Sequence, residues 1–167
     1  MKRMRKPNID AHLTVMLKDK NGKVVYRRRY RSRSFVVGFL NALNYDFQGN
    51  GAAGSPAIVV GSGKTPPSIT DAGLTSQIGN GTGAGQLQYG NNSIVAPVIN
   101  SNTNSASFTW SRSFSNNSGG NVTVSEVGAS ISVGSNGYFI LHDLLPSPVT
   151  VGNGQVLTVV YTITITV

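Results

Sequence analysis

The sequence predicts a mainly β fold, an antiparallel β-sandwich or jelly roll with an N-terminal β-hairpin and one short helix. Segments of alternating apolar and polar residues recur along the last third of the chain, separated by turn residues. The chain has 20 glycines and only 12% charged residues, against about 25% in average globular proteins. A surface hydrated by Ser, Thr and Asn suits a β-rich protein with many turns.

The length of 167 residues favours a single structural domain. Within it we expect two parts. Residues 1–56 form a basic hairpin and helix, a docking segment packed on the same domain. Residues 57–167 form the core of the sandwich or jelly roll. The absence of cysteine excludes disulfides, so stability must come from packing or from partners.

The docking segment begins with two predicted strands, residues 13–18 and 24–30. Asn21-Gly22 lies between them and is a strong hairpin signal, because both residue types accept positive φ. Ser34 then provides a candidate N-cap for the helix. One helical face carries the apolar residues Val36, Phe39, Leu40 and Leu43.

The middle of the chain has fewer regular signals. Residues 45–56 are loop-like, and the apolar run at residues 57–61 predicts a short buried strand. Residues 79–92 are rich in Gly, Asn and Gln, which predicts a long loop or arm. Such a loop is typically functional or ordered by contact with a neighbour.

Two strands of the last third alternate most regularly. Residues 106–114 carry large side chains at even positions and Ser or Thr at odd ones. Residues 156–167 place six large apolar side chains at odd positions, and most of the even ones are Thr. Each pattern predicts one buried and one hydrated face.

The other predicted strands are less regular. Residues 122–133 change parity near Glu126, which indicates a β-bulge there. Residues 137–141 form a further predicted strand, and Pro146 and Pro148 are expected to interrupt pairing beyond it.

The aromatic residues Phe108, Trp110 and Phe114 have two interpretations. They could form a sugar-stacking platform, as in a lectin-like sandwich. Their strict alternation with Ser and Thr favours a buried core face instead.

Positive charge is concentrated at one end of the chain. Residues 1–33 hold twelve of the fourteen Lys and Arg against Asp10 and Asp19, a local net charge of +10. The candidate docking residues are the arginines of this segment: Arg27, Arg28, Arg29, Arg31 and Arg33.

On a strand, these arginines project from both faces and cannot all cover one groove. One possible partner is nucleic acid, through phosphate neutralisation and stacking on Tyr26 or Tyr30. Another is an acidic protein surface, which the planar guanidinium group favours. A third interpretation is a solvated edge strand whose charges prevent aggregation.

No pattern in the sequence supports catalysis. The stretch at residues 61–65 is similar to a P-loop, but the motif requires glycine at position 58, where the chain has Ile58. His142 beside Asp143, with His12 elsewhere, is the one histidine and carboxylate pairing available. We therefore predict a protein that is not an enzyme, with no catalytic, metal or cofactor site.

The N-terminal residues 1–7 are charged like the start of a signal peptide, but no apolar segment of the required length follows. The chain also has no run of 18 apolar residues. We expect synthesis in the host cytoplasm without secretion by a signal peptide, and no membrane partner.

Several stretches resemble small structural proteins of tailed bacteriophages and related viruses. They lie within about residues 57 to 167: 59–66 (VVGSGKTP), 71–74 (DAGL), 108–114, 124–128 (VSEVG), 145–151 and 154–159. The resemblance implies a β-sandwich virion component of the head, neck or tail, with no catalytic residues to carry over.

The expected function is therefore that of a virion structural protein, most readily a capsid decoration or minor capsid protein that docks through a basic face. Its partners would be further copies of itself and other virion proteins, with nucleic acid as second choice. The alternatives are a neck or tail protein, a carbohydrate-binding module of a receptor-recognition apparatus, and a nucleic-acid-binding protein.

Overall fold

The computed structural model describes residues 6–32, 34–49 and 56–167. This part of the chain forms eight β-strands and one α-helix. The strands are β1 (Asn8–Lys18), β2 (Val24–Ser32), β3 (Ala57–Gly61), β4 (Gln88–Asn100), β5 (Ser105–Ser115), β6 (Val122–Val133), β7 (Asn136–Val151) and β8 (Val156–Thr166), and the helix is α1 (Val37–Phe47). The prediction of a mainly β protein is confirmed.

The strands form two antiparallel sheets in a sandwich-like arrangement. The larger sheet has the order β2-β1-β8-β5-β4, and the smaller has the order β3-β6-β7. Both sheets contribute to one apolar core, which includes Leu13, Tyr161 and Phe114 from the larger sheet and Val124 and Leu141 from the smaller. Of the two predicted architectures, the β-sandwich describes this arrangement.

The N-terminal hairpin is part of the larger sheet. β1 pairs with β8 along its whole length, from Asn8 opposite Thr166 to Lys18 opposite Val156. In the connection to β2, only Gly22 has a positive φ, of 80°. The Asp19 side chain accepts the backbone N–H groups of Asn21 and Lys23. The hairpin is as predicted, but Asn21 does not adopt the positive φ expected for it, because the Asp19 side chain organises the turn.

The helix begins later and ends later than predicted. Its N-cap residue is Val36, which makes no side-chain capping bond, so the assignment of Ser34 as N-cap was wrong. Ser34 instead accepts the backbone N–H of His142 with its carbonyl oxygen. A Cβ atom at Gly38 would collide with the Phe139 carbonyl oxygen on β7. This helical glycine therefore permits close packing of α1 on the smaller sheet.

The segment at residues 79–92 is a loop only in its first part. From Gln88 it continues as β4, an edge strand of the larger sheet that the sequence did not predict. β4 pairs with β5 and is irregular between Val95 and Val98. Four of its apolar residues are exposed: Ile94, Val95, Val98 and Ile99.

The remaining predicted strands are present, with two differences. β6 has the expected irregularity between Val124 and Glu126. β7 continues through Pro146 and Pro148, and only its ladder with β6 is interrupted, between Leu144 and Val149. An edge strand tolerates proline because one side of it needs no partner.

β8 lies at the centre of the larger sheet, as its alternation predicted. Four of its odd residues are buried, namely Leu157, Val159, Tyr161 and Ile163. Ile165 and Val167 are 41% and 60% exposed, so the buried face is shorter than the sequence pattern indicated. In the described ranges, no helix has the length and apolar character needed to cross a membrane.

Candidate functional site

β2 forms one edge of the larger sheet and carries the arginines predicted to dock a partner. Arg28 lies opposite the buried Val15 of β1, so it is on the core-facing side of β2. It is nevertheless exposed, because β2 is the edge strand of the sheet. Arg27, Arg29 and Arg31 alternate with it on the outer side. The structure therefore divides the arginines between two faces. Arg33 lies outside the described residues.

Most of the described arginines on β2 have no acidic partner. Arg31 forms an ion pair with Asp10 on β1, and this hydrogen bond from Arg31 holds the pKa of Asp10 below its usual value. Arg27, Arg28 and Arg29 are exposed. Within the described part of the chain, none of these three pairs with a carboxylate. Their charges are available to an external partner.

The two tyrosines of β2 are not presented for stacking. Tyr26 and Tyr30 pack against the core, and their hydroxyl oxygens lie 2.8 Å apart. Burial, together with the hydrogen bond between the two hydroxyl groups, raises the pKa of Tyr30 to about 12. A nucleic-acid platform requires exposed aromatic faces, so these rings do not provide one.

A second cluster of polar residues lies beneath the loop of residues 62–77, which the sequence did not associate with β6. The Glu126 side chain is fully buried. Its Oε1 atom accepts the N–H groups of Gly63, at 3.0 Å, and Ser76, at 2.8 Å. Its Oε2 atom accepts the N–H of Thr75 at 3.2 Å. One carboxylate therefore anchors both ends of the loop.

His142 links Glu126 to a second carboxylate. Its Nε2 atom lies 3.0 Å from Glu126 Oε2, and its Nδ1 atom lies 2.6 Å from Asp71 Oδ2. The backbone N–H of Ser68, followed by His142, lowers the pKa of Asp71, against the opposing effect of burial. Because His142 is buried and both ring nitrogens are engaged, neither nitrogen is free for a substrate. We assign this cluster to holding the loop in place.

His142 and Asp143, the one histidine and carboxylate pairing that the sequence made available, do not pair with each other. Adjacent residues on a strand point to opposite faces, and these two lie on opposite sides of the smaller sheet. Asp143 faces the larger sheet, where its Oδ2 atom accepts the hydroxyl groups of Ser32, at 2.8 Å, and Tyr161, at 2.9 Å. Burial raises the pKa of Asp143, and these hydrogen bonds only partly oppose the shift.

The glycine-rich turn at residues 61–65 surrounds a carboxylate of its own chain. A Cβ atom at Gly61 or Gly63 would collide with the Glu126 carboxylate. The space that a phosphate would need is therefore filled by Glu126. Three stretches that carry the resemblance, residues 59–66, 71–74 and 124–128, meet at this point.

The aromatic residues of β5 belong to the core. Trp110 and Phe114 are buried, and Phe108 packs against the core from a partly buried position. The core interpretation is confirmed, and these rings offer no sugar-stacking platform. Arg112 on the same strand donates to the carbonyl oxygens of Gly90 and Ile58, so it too is used internally.

Two exposed edges of the larger sheet are candidate contact surfaces: β2 with its arginines, and β4 with its apolar side chains. Comparison of the chain with protein-family models, curated proteins and solved structures finds no match.

Proposed function

We propose that the protein is a structural component of a virus particle, a capsid decoration or minor capsid protein that docks through β2. The docking residues are the five arginines of the basic segment: Arg27, Arg28, Arg29, Arg31 and Arg33. One observation carries the proposal: three exposed arginines stand on one edge strand without an acidic partner among the described residues.

An acidic protein surface is the partner that fits these arginines best. Guanidinium groups form planar, bidentate contacts with carboxylates, which give directed docking. Arg28 projects from the opposite face to Arg27 and Arg29, so these three unpaired arginines cannot all contact one nucleic-acid groove. The half-buried Tyr26 and Tyr30 also lack exposed rings for bases.

The polar outer face of the larger sheet is consistent with exposure on a particle. On β5 and β8 the residues that alternate with the core are mostly Ser and Thr, among them Ser107, Thr109, Thr158, Thr162 and Thr164. Hydroxyl side chains keep a flat sheet hydrated with little loss of side-chain entropy. The strong internal pairing of β8 between β1 and β5 provides a rigid base.

The first experiment asks whether the protein is part of the particle. Particles of the virus that encodes the chain would be purified on a gradient and quantified by mass spectrometry. We expect a fixed, symmetric ratio of this protein to the major capsid protein. Absence from intact particles would overturn the proposal, and cryo-EM density at the neck or tail would favour that alternative location.

The second experiment tests the docking strand. Changing both Arg27 and Arg29 to Gln should weaken binding to particles that lack the protein by at least tenfold. The control changes Lys20 and Lys23 to Gln, which removes equal charge from the neighbouring turn. Strong binding of the unaltered protein to random-sequence DNA near 0.15 M salt would instead favour nucleic acid, since counterion release normally weakens such binding as salt rises.

A further inference from the structure

His142 lies between two carboxylates that come from different parts of the chain. Its Nε2 atom is 3.0 Å from Oε2 of Glu126, and its Nδ1 atom is 2.6 Å from Oδ2 of Asp71. An ionised carboxylate only accepts hydrogen bonds, and a neutral imidazole ring donates from one nitrogen only. The ring can therefore donate to both carboxylates only as the imidazolium ion, which carries a proton on each nitrogen.

Both carboxylates have further donors that favour their ionised form. Glu126 accepts three backbone N–H groups of the loop of residues 62–77. Asp71 accepts the backbone N–H of Ser68 at 2.8 Å, and this bond contributes most to lowering the pKa of Asp71. Hydrogen bonds of this kind stabilise a carboxylate against protonation. The two carboxylates therefore act as acceptors, and His142 supplies both protons.

The charges around the ring make the contact sensitive to loss of one proton. Glu126 approaches His142 from β6 and Asp71 from the loop, whereas Asp143, the next residue on β7, faces the larger sheet. Lys64, also on the loop, is exposed and forms no ion pair with any described residue. A neutral ring would therefore leave two negative charges beside it, one of them facing a nitrogen lone pair.

The two carboxylates differ in how easily they can leave the ring. The Glu126 side chain is fully buried and is held by three N–H groups, whereas the Asp71 side chain is 26% exposed and can move into water. We propose that loss of one His142 proton, as pH rises, breaks the contact with Asp71 and releases the middle of the loop, residues 68–74. Glu126 keeps both ends of the loop in place. This device is separate from the arginine edge strand, so its existence does not depend on the proposed virion role.

Two backbone amides distinguish the middle of the loop from its end. The N–H of Val37, the first residue of α1, donates to the carbonyl oxygen of Ile69 at 2.7 Å. Release of the middle of the loop removes this acceptor. The N–H of Ile78 donates to the carbonyl oxygen of Val60 at 2.9 Å, beside the end that Glu126 anchors. The proposal therefore requires Val37 to lose protection while Ile78 keeps it.

Nuclear magnetic resonance of the whole chain between pH 5 and 9 tests the proposal. The ¹⁵N shifts of the His142 ring report how many protons it carries. Amide exchange, corrected for its intrinsic dependence on pH, reports local opening. We expect two ring protons at pH 5 and the loss of one as pH rises. Protection of the Val37 amide should fall about tenfold or more with the same midpoint, and that of Ile78 should change less than about twofold.

The matched variants are Asp71→Asn and His12→Gln. A side-chain amide can accept from the charged ring or donate to the neutral one, so Asp71→Asn should remove the pH-dependent step at Val37. His12 is the other histidine of the chain and lies on β1, opposite Thr162 of β8. His12→Gln should leave the step and its midpoint unchanged.

Four results would overturn the proposal. The first is a neutral His142 ring at a pH where Val37 is still fully protected, and the second is a ring that keeps both protons throughout the range. The third is loss of protection at Val37 and Ile78 together, because this would indicate release of the whole loop or unfolding. The fourth is a step at Val37 that persists in a folded Asp71→Asn variant.

Discussion

The Oε2 atom of Glu126 lies 3.0 Å from Nε2 of His142, beneath the loop of residues 62–77. Both side chains project from the same face of the smaller sheet, Glu126 from β6 and His142 from β7. The loop covers that face and donates three backbone N–H groups to Glu126. The sandwich is therefore extended on one side by a loop that one buried carboxylate anchors near both of its ends.

Replacement of Glu126 by Ala should destabilise the protein by about 3–5 kcal/mol, the usual effect of removing one partner from a buried ionic cluster. The change leaves three backbone N–H groups without their acceptor and the Nε2 atom of His142 without its partner. Urea unfolding measures the loss. Ser62→Ala is the control, because it removes only an exposed hydroxyl contact to Ser76 and should change stability by less than about 0.5 kcal/mol.

Hydrogen exchange separates release of the loop from global unfolding. The N–H groups of Ser62 and Ile78 bond to carbonyl oxygens of Ser76 and Val60. In a folded Glu126→Ala variant they should exchange much faster, while amides in the centre of β8 keep their protection. Uniform acceleration of all amides would contradict a local anchoring role.

The sequence revealed the position of Glu126 but not its partners. The change of parity between Val124 and Val127 predicted the bulge at Glu126, because alternation is a local property of the chain. The loop residues that donate to Glu126 lie 50 or more positions earlier, in a segment without periodicity. His142 and Asp143 are adjacent in sequence, which suggested a pair that the opposite faces of a strand prevent.

β4 was missed for a related physical reason. An edge strand exposed on both faces has no buried side to impose alternation, and residues 93–100 are all exposed. β5 and β8 were found because each has one face in the core. The arginines of β2 could be placed on a strand from the sequence. Only the structure shows that Arg31 pairs with Asp10, whereas Arg27, Arg28 and Arg29 pair with no carboxylate among the described residues.

Asp143 and Asp71 should have opposite effects on the pH dependence of stability. The pKa of Asp143 is raised by burial. The stability that this carboxyl group contributes is therefore fully present below the unfolded-state pKa and is lost as pH rises through the folded-state pKa. The pKa of Asp71 is lowered, so its contribution is present above the unfolded-state pKa and is lost as pH falls through the folded-state pKa. The unfolded-state value is about 3.9 for both.

Asp143→Asn should therefore remove a decrease in stability that the wild type shows as pH rises above about 4. Asp71→Asn should instead remove a loss that the wild type shows on acidification. Urea unfolding between pH 3 and 8 gives both difference curves. In each curve, the free energy of unfolding of the variant is subtracted from that of the wild type. If both differences changed in the same direction with pH, the assigned environments of these carboxyl groups would be contradicted.

Removal of residues 161–167 should leave the chain unfolded or insoluble. The deletion eliminates the buried side chains Tyr161 and Ile163 and the pairing of β8 with both β1 and β5 at this end. Burial of one such side chain contributes about 1.5–3 kcal/mol, against a total stability of roughly 5–15 kcal/mol. Deletion of Val167 alone is the control, since this residue is exposed and follows the strand. A soluble 161–167 deletion with unchanged circular dichroism and melting temperature would refute the central role of β8.

The protein should also self-associate, in solution at micromolar concentration or on the particle. The edge strand β4 has no charged residue and exposes four apolar side chains, including Val95 and Ile99. Such an edge is a favourable site for contact with another copy, although Pro97 and the irregularity beside it limit continuous strand pairing.

Analytical ultracentrifugation of the wild type should give a mass above that of one chain, and the same assay identifies the surface involved. Changing Val95 and Ile99 to Lys should shift the population toward monomer, because charges on both faces of an edge strand oppose contact. The control changes Val24 and Val25 to Lys; these residues are 45% and 51% exposed on β2, the opposite edge of the same sheet. If both double variants dissociate equally, added charge alone explains the effect and β4 is not the contact. A wild type that stays monomeric in solution and on the particle would contradict self-association altogether.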